Sequence, residues 1–242
     1  MAVDPLPAAA TLPVLVGTIH SDPQGYRRTR RLLERHAPDL IFVELSPYGL
    51  RYRQDNGSAL WRTFSGNLRI AARRLAVEPA KARRHRRIDA IARQIKLPFE
   101  YRAAAAYASR RGATVIAADC SEFSRQWIET WAELISAQNL EILLTMDSAP
   151  DPVSRQYDTA ARLIRGDVPA PGMLSDKDLS LWQEREEGLA RNIRTELFRN
   201  NPVRPLYIGG WMHLLSHGRL RSLRDLLGIS LTRCLLLDRG PL

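Results

Sequence analysis

The sequence predicts an α/β fold: a mainly parallel sheet covered by helices, with a helical insertion and an internal echo of two related halves. Three observations predict it. Short, uniformly apolar runs that read as buried strands alternate with longer segments of helical character. Two of these runs, at opposite ends of the chain, leave through the same pattern, Gly17-Thr18-Ile19-His20 and Gly210-Trp211-Met212-His213. Turn and helix-start signals such as Pro38-Asp39, Ser46-Pro47, Gly112 and Ser121 punctuate the runs between them.

In chain order, the first strand falls at 12–17, where Leu12-Pro13-Val14-Leu15-Val16 precedes Gly17, and a helix follows over about 25–36. A strand at 39–44 ends in Glu44, and an arginine-rich helical insertion covers about 58–111. Thr114-Val115-Ile116-Ala117-Ala118 forms the strand at 114–119, ending in Asp119, and two or three helices fill 122–165. The proline- and glycine-bearing segments 149–152 and 166–172 flank one of those helices, which suits a small cap over a crevice. A longer helix over 176–199 opens on Ser175-Asp176-Lys177-Asp178, a capping-box pattern with Ser175 as N-cap. A strand at 205–209, a helix at about 213–227 and a strand at 231–237 complete the single domain, 1–242.

Composition bounds the function. A chain of 242 residues buries about 70–75% of its unfolded surface and needs neither disulfide nor structural metal to fold. Cys120 and Cys234 are the only cysteines and lack CxxC spacing, so both read as small hydrophobes. No apolar stretch approaches a membrane span, and the first residues carry no basic region before Pro5, Pro7 and Pro13, which reads as a short tail rather than a signal peptide. A cytoplasmic protein without a transmembrane segment is expected. The net charge of +10 is an arginine effect, since Lys81, Lys96 and Lys177 are the only lysines. Its densest run, Arg69 to Lys96, could meet phosphate backbones or an anionic membrane face, but contains no recognised module and no aromatic interleaving. A solvated helical face is the favoured reading, and no specific nucleic acid is expected as a partner.

The chemistry gathers at the strand ends. In an open parallel sheet ligands collect outside the carboxyl ends of the strands, where this sequence delivers His20, Glu44, Asp119 and His213. Two imidazoles and one or two carboxylates match the ligand sets of catalytic zinc and of manganese or iron sites with open positions, and His20, Glu44 and His213 are the candidate metal ligands. Gly17 and Gly210 let the strand exits turn sharply and let backbone approach a ligand closely. On the 176–199 helix, Trp182, Leu189, Ile193 and Leu197 share one apolar face with Glu186 inside it and Arg185 on its border. A carboxylate there needs an arginine partner, which Arg185 could be, or a place at the crevice. In the functional reading Arg185 stabilises an oxyanion or binds a substrate carboxylate, while Glu186 or Asp119 moves a proton or orients a ligand histidine. Without a metal, one histidine could serve as general base with Glu44 fixing its tautomer. His36 and His85 read as solvent-exposed, whereas His217 could approach the site from the 213–227 helix.

These residues resemble the TraB/PrgY/GumN family, related to the Tiki proteases and more distantly to the erythromycin esterase and ChaN-like proteins. The matching stretches are residues 16–20, 38–45 and 117–119, then Glu184-Arg185-Glu186 with Leu189-Ala190, and finally 208–213. The chain departs from the family pattern in lacking the arginine usual after Asp119, in having Glu186 as third residue of the Glu-Arg motif, and in having no carboxy-terminal membrane helices. The resemblance implies a divalent-metal-dependent protease or hydrolase centred on His20, Glu44 and His213, with Arg185 as motif arginine. The expectation is a hydrolase of a peptide or other amide or ester, using Mn²⁺, Zn²⁺ or Co²⁺. Its rival is a binding protein that sequesters a small peptide or haem without turnover.

Overall fold

The structure, a computed structural model, describes residues 11–147, 152–168, 176–216 and 221–242. The α/β class holds, with a six-stranded sheet, parallel but for its last strand, covered by helices. Strand β1 (Val14–Thr18) leads through α1 (Gly25–His36) to β2 (Leu40–Val43). Helices α2 (Pro47–Arg74), α3 (Pro79–Arg84), α4 (Arg86–Ile95) and α5 (Phe99–Arg111) precede β3 (Thr114–Ala117). Helices α6 (Ser121–Glu129), α7 (Trp131–Leu134), α8 (Ala137–Thr145), α9 (Val153–Arg165) and the long α10 (Asp176–Asn200) precede β4 (Pro205–Gly210). A 3-10 turn (Trp211–Leu214), helix α11 (Leu223–Leu227), strand β5 (Cys234–Leu236) and the two-residue β6 (Gly240–Pro241) follow.

The strand order is β3-β2-β4-β1-β5-β6. From β1 the chain steps over one strand position to β2 and on to β3, then returns to fill the gap with β4. The four strands carrying the predicted His, Glu, Asp and His are therefore consecutive in the sheet and parallel, so all four carboxyl ends lie on one edge. Burial explains the runs: Leu40, Ile41, Phe42 and Val43 are all buried, as a strand with both faces covered requires. The echoed strands β1 and β4 are direct neighbours, with Gly17 opposite Gly209 and Thr18 opposite Gly210, one residue out of step with the sequence echo.

The described residues form two compact units, one of those within 1–46, 99–120 and 152–242, the other of those within 47–98 and 121–151. The first holds the sheet. The second is helical, around Phe64, Leu68, Ile88, Ile95, Trp131 and Leu140. The insertion predicted at 58–111 thus starts at Pro47 and stops at Pro98, because α5 belongs with the sheet and packs against α1. The helix predicted over 213–227 is not continuous: a 3-10 turn ends at Leu214 with extended backbone at Leu215, and α11 starts at Leu223, behind the N-cap Ser222, whose side chain and Asp225 form a capping box. Residue 217, placed on that helix by the sequence, and the Ser175 cap lie outside the described residues. The antiparallel β6 was not predicted; two residues carry no periodicity to read.

The approach of α1 to α5 depends on one missing side chain. A Cβ on Gly25 would stand 2.4 Å from the ring of Phe99, far inside van der Waals contact. Gly25→Ala should therefore cost about 1–3 kcal/mol, as overpacking does, read as a lower urea midpoint. Adding Phe99→Leu should recover part of the loss. A Gly25→Ala variant as stable as the parent would refute this packing.

Candidate functional site

Four of the functional side chains stand where strands end. His20 follows β1, Glu44 follows β2, Asp119 lies just past β3, and His213 sits in the 3-10 turn after β4. Helix α10 adds Arg185 and Glu186, and the first turn of α5 adds Glu100. All seven belong to the sheet-bearing unit.

Glu44 is the hub. Its Oε1 accepts a hydrogen bond from an Arg185 guanidinium nitrogen at 2.6 Å and stands 3.0 Å from His213 Nε2. Its Oε2 accepts from the Gly210 backbone N–H and lies 3.4 Å from His20 Nε2. Gly210 allows this approach: a Cβ there would meet His20 Nε2 at 3.0 Å and Glu44 Oε2 at 3.2 Å. Gly17 works differently from its predicted part, since a Cβ on it would meet the Trp211 backbone and Leu236, both at 3.0 Å. It is a packing glycine under the 3-10 turn rather than a ligand contact.

Each imidazole is held from behind by a further carboxylate. His213 Nδ1 lies 2.6 Å from Glu186 Oε1, and Glu186 Oε2 accepts from the Leu223 N–H at 2.6 Å. Both residues are fully buried, and His213 is stacked on Trp182 with the edge of Tyr207 beside it. His20 Nδ1 lies 2.9 Å from Glu100 Oε1, which also accepts from the Thr18 hydroxyl at 2.8 Å. With Nδ1 turned to a carboxylate, both rings address Glu44 through Nε2. The two differ in access: the His20 side chain is 58% exposed, that of His213 1%.

Arg185 closes the cluster. Besides Glu44 it binds Asp119 two-handed, Nε to Oδ1 at 3.1 Å and a terminal nitrogen to Oδ2 at 2.7 Å, and its guanidinium lies near the Trp182 ring. Nε and one terminal nitrogen of Arg185 are thus engaged by the protein's own carboxylates. Asp119 likewise holds Arg185 rather than a histidine. The Glu186 side chain makes no ion pair with Arg185; its partners are His213 and the Leu223 N–H. Cys120 packs against α10 where Gly188 leaves room, and burial together with Asp119 raises its thiol pKa, so it is no ready nucleophile.

Charge sets the protonation of the rings. Desolvation disfavours imidazolium in enclosed His213 and far less in the exposed His20, and carboxylates on either side favour it in both. Glu186 and Glu44 raise His213 to about 10. Glu100 and Glu44 raise His20 well above the ordinary histidine value. Burial pushes Glu44 upward, yet His213, Arg185 and His20 together hold it well below the usual carboxylate range. The carboxylates that hold the two rings therefore also favour their protonated form.

Among the described residues no three His, Cys, Asp or Glu side chains are gathered as a metal-ligand group. The two Nε2 atoms face different oxygens of Glu44, and Arg185 already holds Oε1. Sequence reasoning missed Glu100. The available signal was a helix start at Pro98-Phe99-Glu100, a glutamate in the first turn of an otherwise arginine-rich stretch. His36 and His85, expected to be exposed, are half-buried. No protein-family model, curated protein or solved structure matches this chain.

Because the folded pKa of His213 exceeds its unfolded value of about 6.5, its contribution is fully present below that pH and is lost as pH rises through about 10. The urea midpoint should therefore fall between pH 7 and 10, and His213→Gln should flatten that decline. A decline as steep in the variant would contradict the linkage. Arg185→Met, which strands Glu44 and Asp119, should cost about 3–5 kcal/mol at pH 7, measured by the same denaturation. A loss under 1 kcal/mol would show that the carboxylates do not depend on Arg185.

Proposed function

We propose that the chain is a metal-dependent hydrolase of amide or ester bonds, peptides among them, as the resemblance to the TraB/PrgY/GumN and Tiki proteins implies. One observation carries the reading: two imidazoles, each oriented through Nδ1 by a buried carboxylate, turn Nε2 toward a shared third carboxylate. Carboxylate–imidazole pairs of this kind orient ligand histidines and raise their basicity. His213 Nε2 is buried and makes no aligned hydrogen bond, which suits a donor reserved for a cation. The donors fit a divalent ion in kind rather than in their present spacing. A bound Mn²⁺, Zn²⁺ or Co²⁺, held by His20, Glu44 and His213, would polarise a carbonyl and supply a water that ionises near neutral pH.

The remaining residues hold and orient. Glu100 and Thr18 fix His20 on the open side of the site, where substrate arrives. Glu186 and the Leu223 N–H fix His213 on the closed side, and Trp182 and Tyr207 wall it from water. Arg185 and the Gly210 N–H set the angle of Glu44. For both Nε2 atoms to become ligands, two ring protons must leave, so cation binding is coupled to proton release. A cytoplasmic setting goes with this reading, in keeping with two free cysteines; no helix among the described residues is long and apolar enough to cross a membrane.

The second reading, a protein that sequesters a small peptide or haem without turnover, is favoured by one fact. Arg185 commits Nε and one terminal nitrogen to Glu44 and Asp119, so three of its five N–H donors serve the protein's own carboxylates rather than an oxyanion. Peptide-library hydrolysis with and without chelator separates the two, and binding without product supports sequestration.

Calorimetric titration with Mn²⁺, Zn²⁺ or Co²⁺ at pH 7, in buffers of different ionisation enthalpy, should show one ion taken up with release of about two protons. His213→Ala should lose the site. Indistinguishable titrations of parent and variant would overturn the assignment.

A further inference from the structure

The helical unit holds a second candidate site, unrelated to the hydrolase reading and carried by different residues. A half-open cavity of about 640 Å³ lies among α2, α3 and α4, within the range of about 300–1,000 Å³ typical of small-ligand pockets. Phe64, Leu68, Ile88 and Ala92 give it an apolar floor, and Arg69, Arg83, Arg84 and Lys96 stand around it. Among the described residues, some arginines of this unit are ion-paired and others, Arg62 and Arg73 among them, are not. Arg74 is paired with Glu141, Arg93 with Asp89 and Arg125 with Glu122. Arg69, Arg83 and Arg84 have no ion-pair partner among the described residues, and Asp89, the acid in the lining, is already held by Arg93 through two nitrogens, at 2.8 and 2.6 Å. The Ser65 hydroxyl, also in the lining, is buried without a hydrogen-bond partner.

Unpaired positive charge at the mouth of an apolar cavity is complementary to a molecule with an anionic head and an apolar body. The body is better matched by an aliphatic chain than by a nucleobase. Lys96 already covers the Trp61 ring, its ammonium 3.8 Å from the centroid, and Phe64 lies tilted against Trp61 at 5.4 Å, so the aromatic pair offers no open stacking platform. The floor is otherwise aliphatic.

We propose that this cavity binds a single-chain anionic amphiphile of the fatty-carboxylate class, its chain over Phe64, Leu68 and Ile88 and its head on Arg83, Arg84 and Arg69. Calorimetry on the full chain with dodecanoate below its micelle concentration should give saturable one-to-one binding. Dodecyl maltoside, with the same chain and a neutral head, and acetate, with the head alone, should each bind at least tenfold more weakly. Arg83→Ser with Arg84→Ser, at exposed positions outside the core, should weaken dodecanoate at least tenfold, and Ala80→Trp, which fills the cavity while sparing the charge, should abolish binding. Equal affinity for the neutral detergent, unchanged binding in either variant, or retention of RNA or anionic vesicles with dodecanoate unbound would overturn the proposal.

Discussion

The site depends on the Glu44 carboxylate, which is shared by a guanidinium, a backbone N–H and two imidazoles. Withdrawn from water, a lone carboxylate would take up a proton; this one stays ionised because cations surround it. The same proximity works in reverse on the rings, whose charge is held by Glu44 on one side and by Glu100 or Glu186 on the other. The pattern is one coupled titration rather than a set of separate acids and bases. Removing any member strands its neighbours in a medium that solvates them poorly.

The sheet makes this convergence possible. Parallel strands put their carboxyl ends on one edge, and the return of β4 between β1 and β2 makes the ends bearing His20, His213 and Glu44 adjacent. Residues far apart in the chain meet because the strands before them pair, with Leu15 against Tyr207 and Phe42 against Tyr207 in the same register. The core packing of uniformly apolar strands and the placement of charge are therefore one design: the strands fix the spacing, and the polar exits use it.

Much of this was legible in the chain because strands announce themselves by apolar runs and their exits by the next polar residue. His20, Glu44, Asp119 and His213 were readable in that way, as was Glu186, a charge inside an apolar helical stripe. Glu100 was not, because its importance comes from a helix packed against the sheet, and its local sequence is an ordinary helix start. Nor could sequence say that Arg185 bridges Glu44 and Asp119, since that follows from the distance between two strand ends. The start of α2 at Pro47 and the break after Leu214 were missed for a related reason. Periodicity locates the middle of an element, whereas its ends are decided by capping, as by Ser222 and Asp225 at α11.

The central claim is that the carboxylates around Glu44 keep both imidazoles charged at neutral pH. Nitrogen-15 NMR of the His20 and His213 rings across pH 6 to 11 tests it most directly, in protein stripped of divalent ions with chelator. The account predicts both ring nitrogens protonated in each residue at pH 7, with His213 giving up its proton only near pH 10. A neutral ring at either position at pH 7 would contradict it.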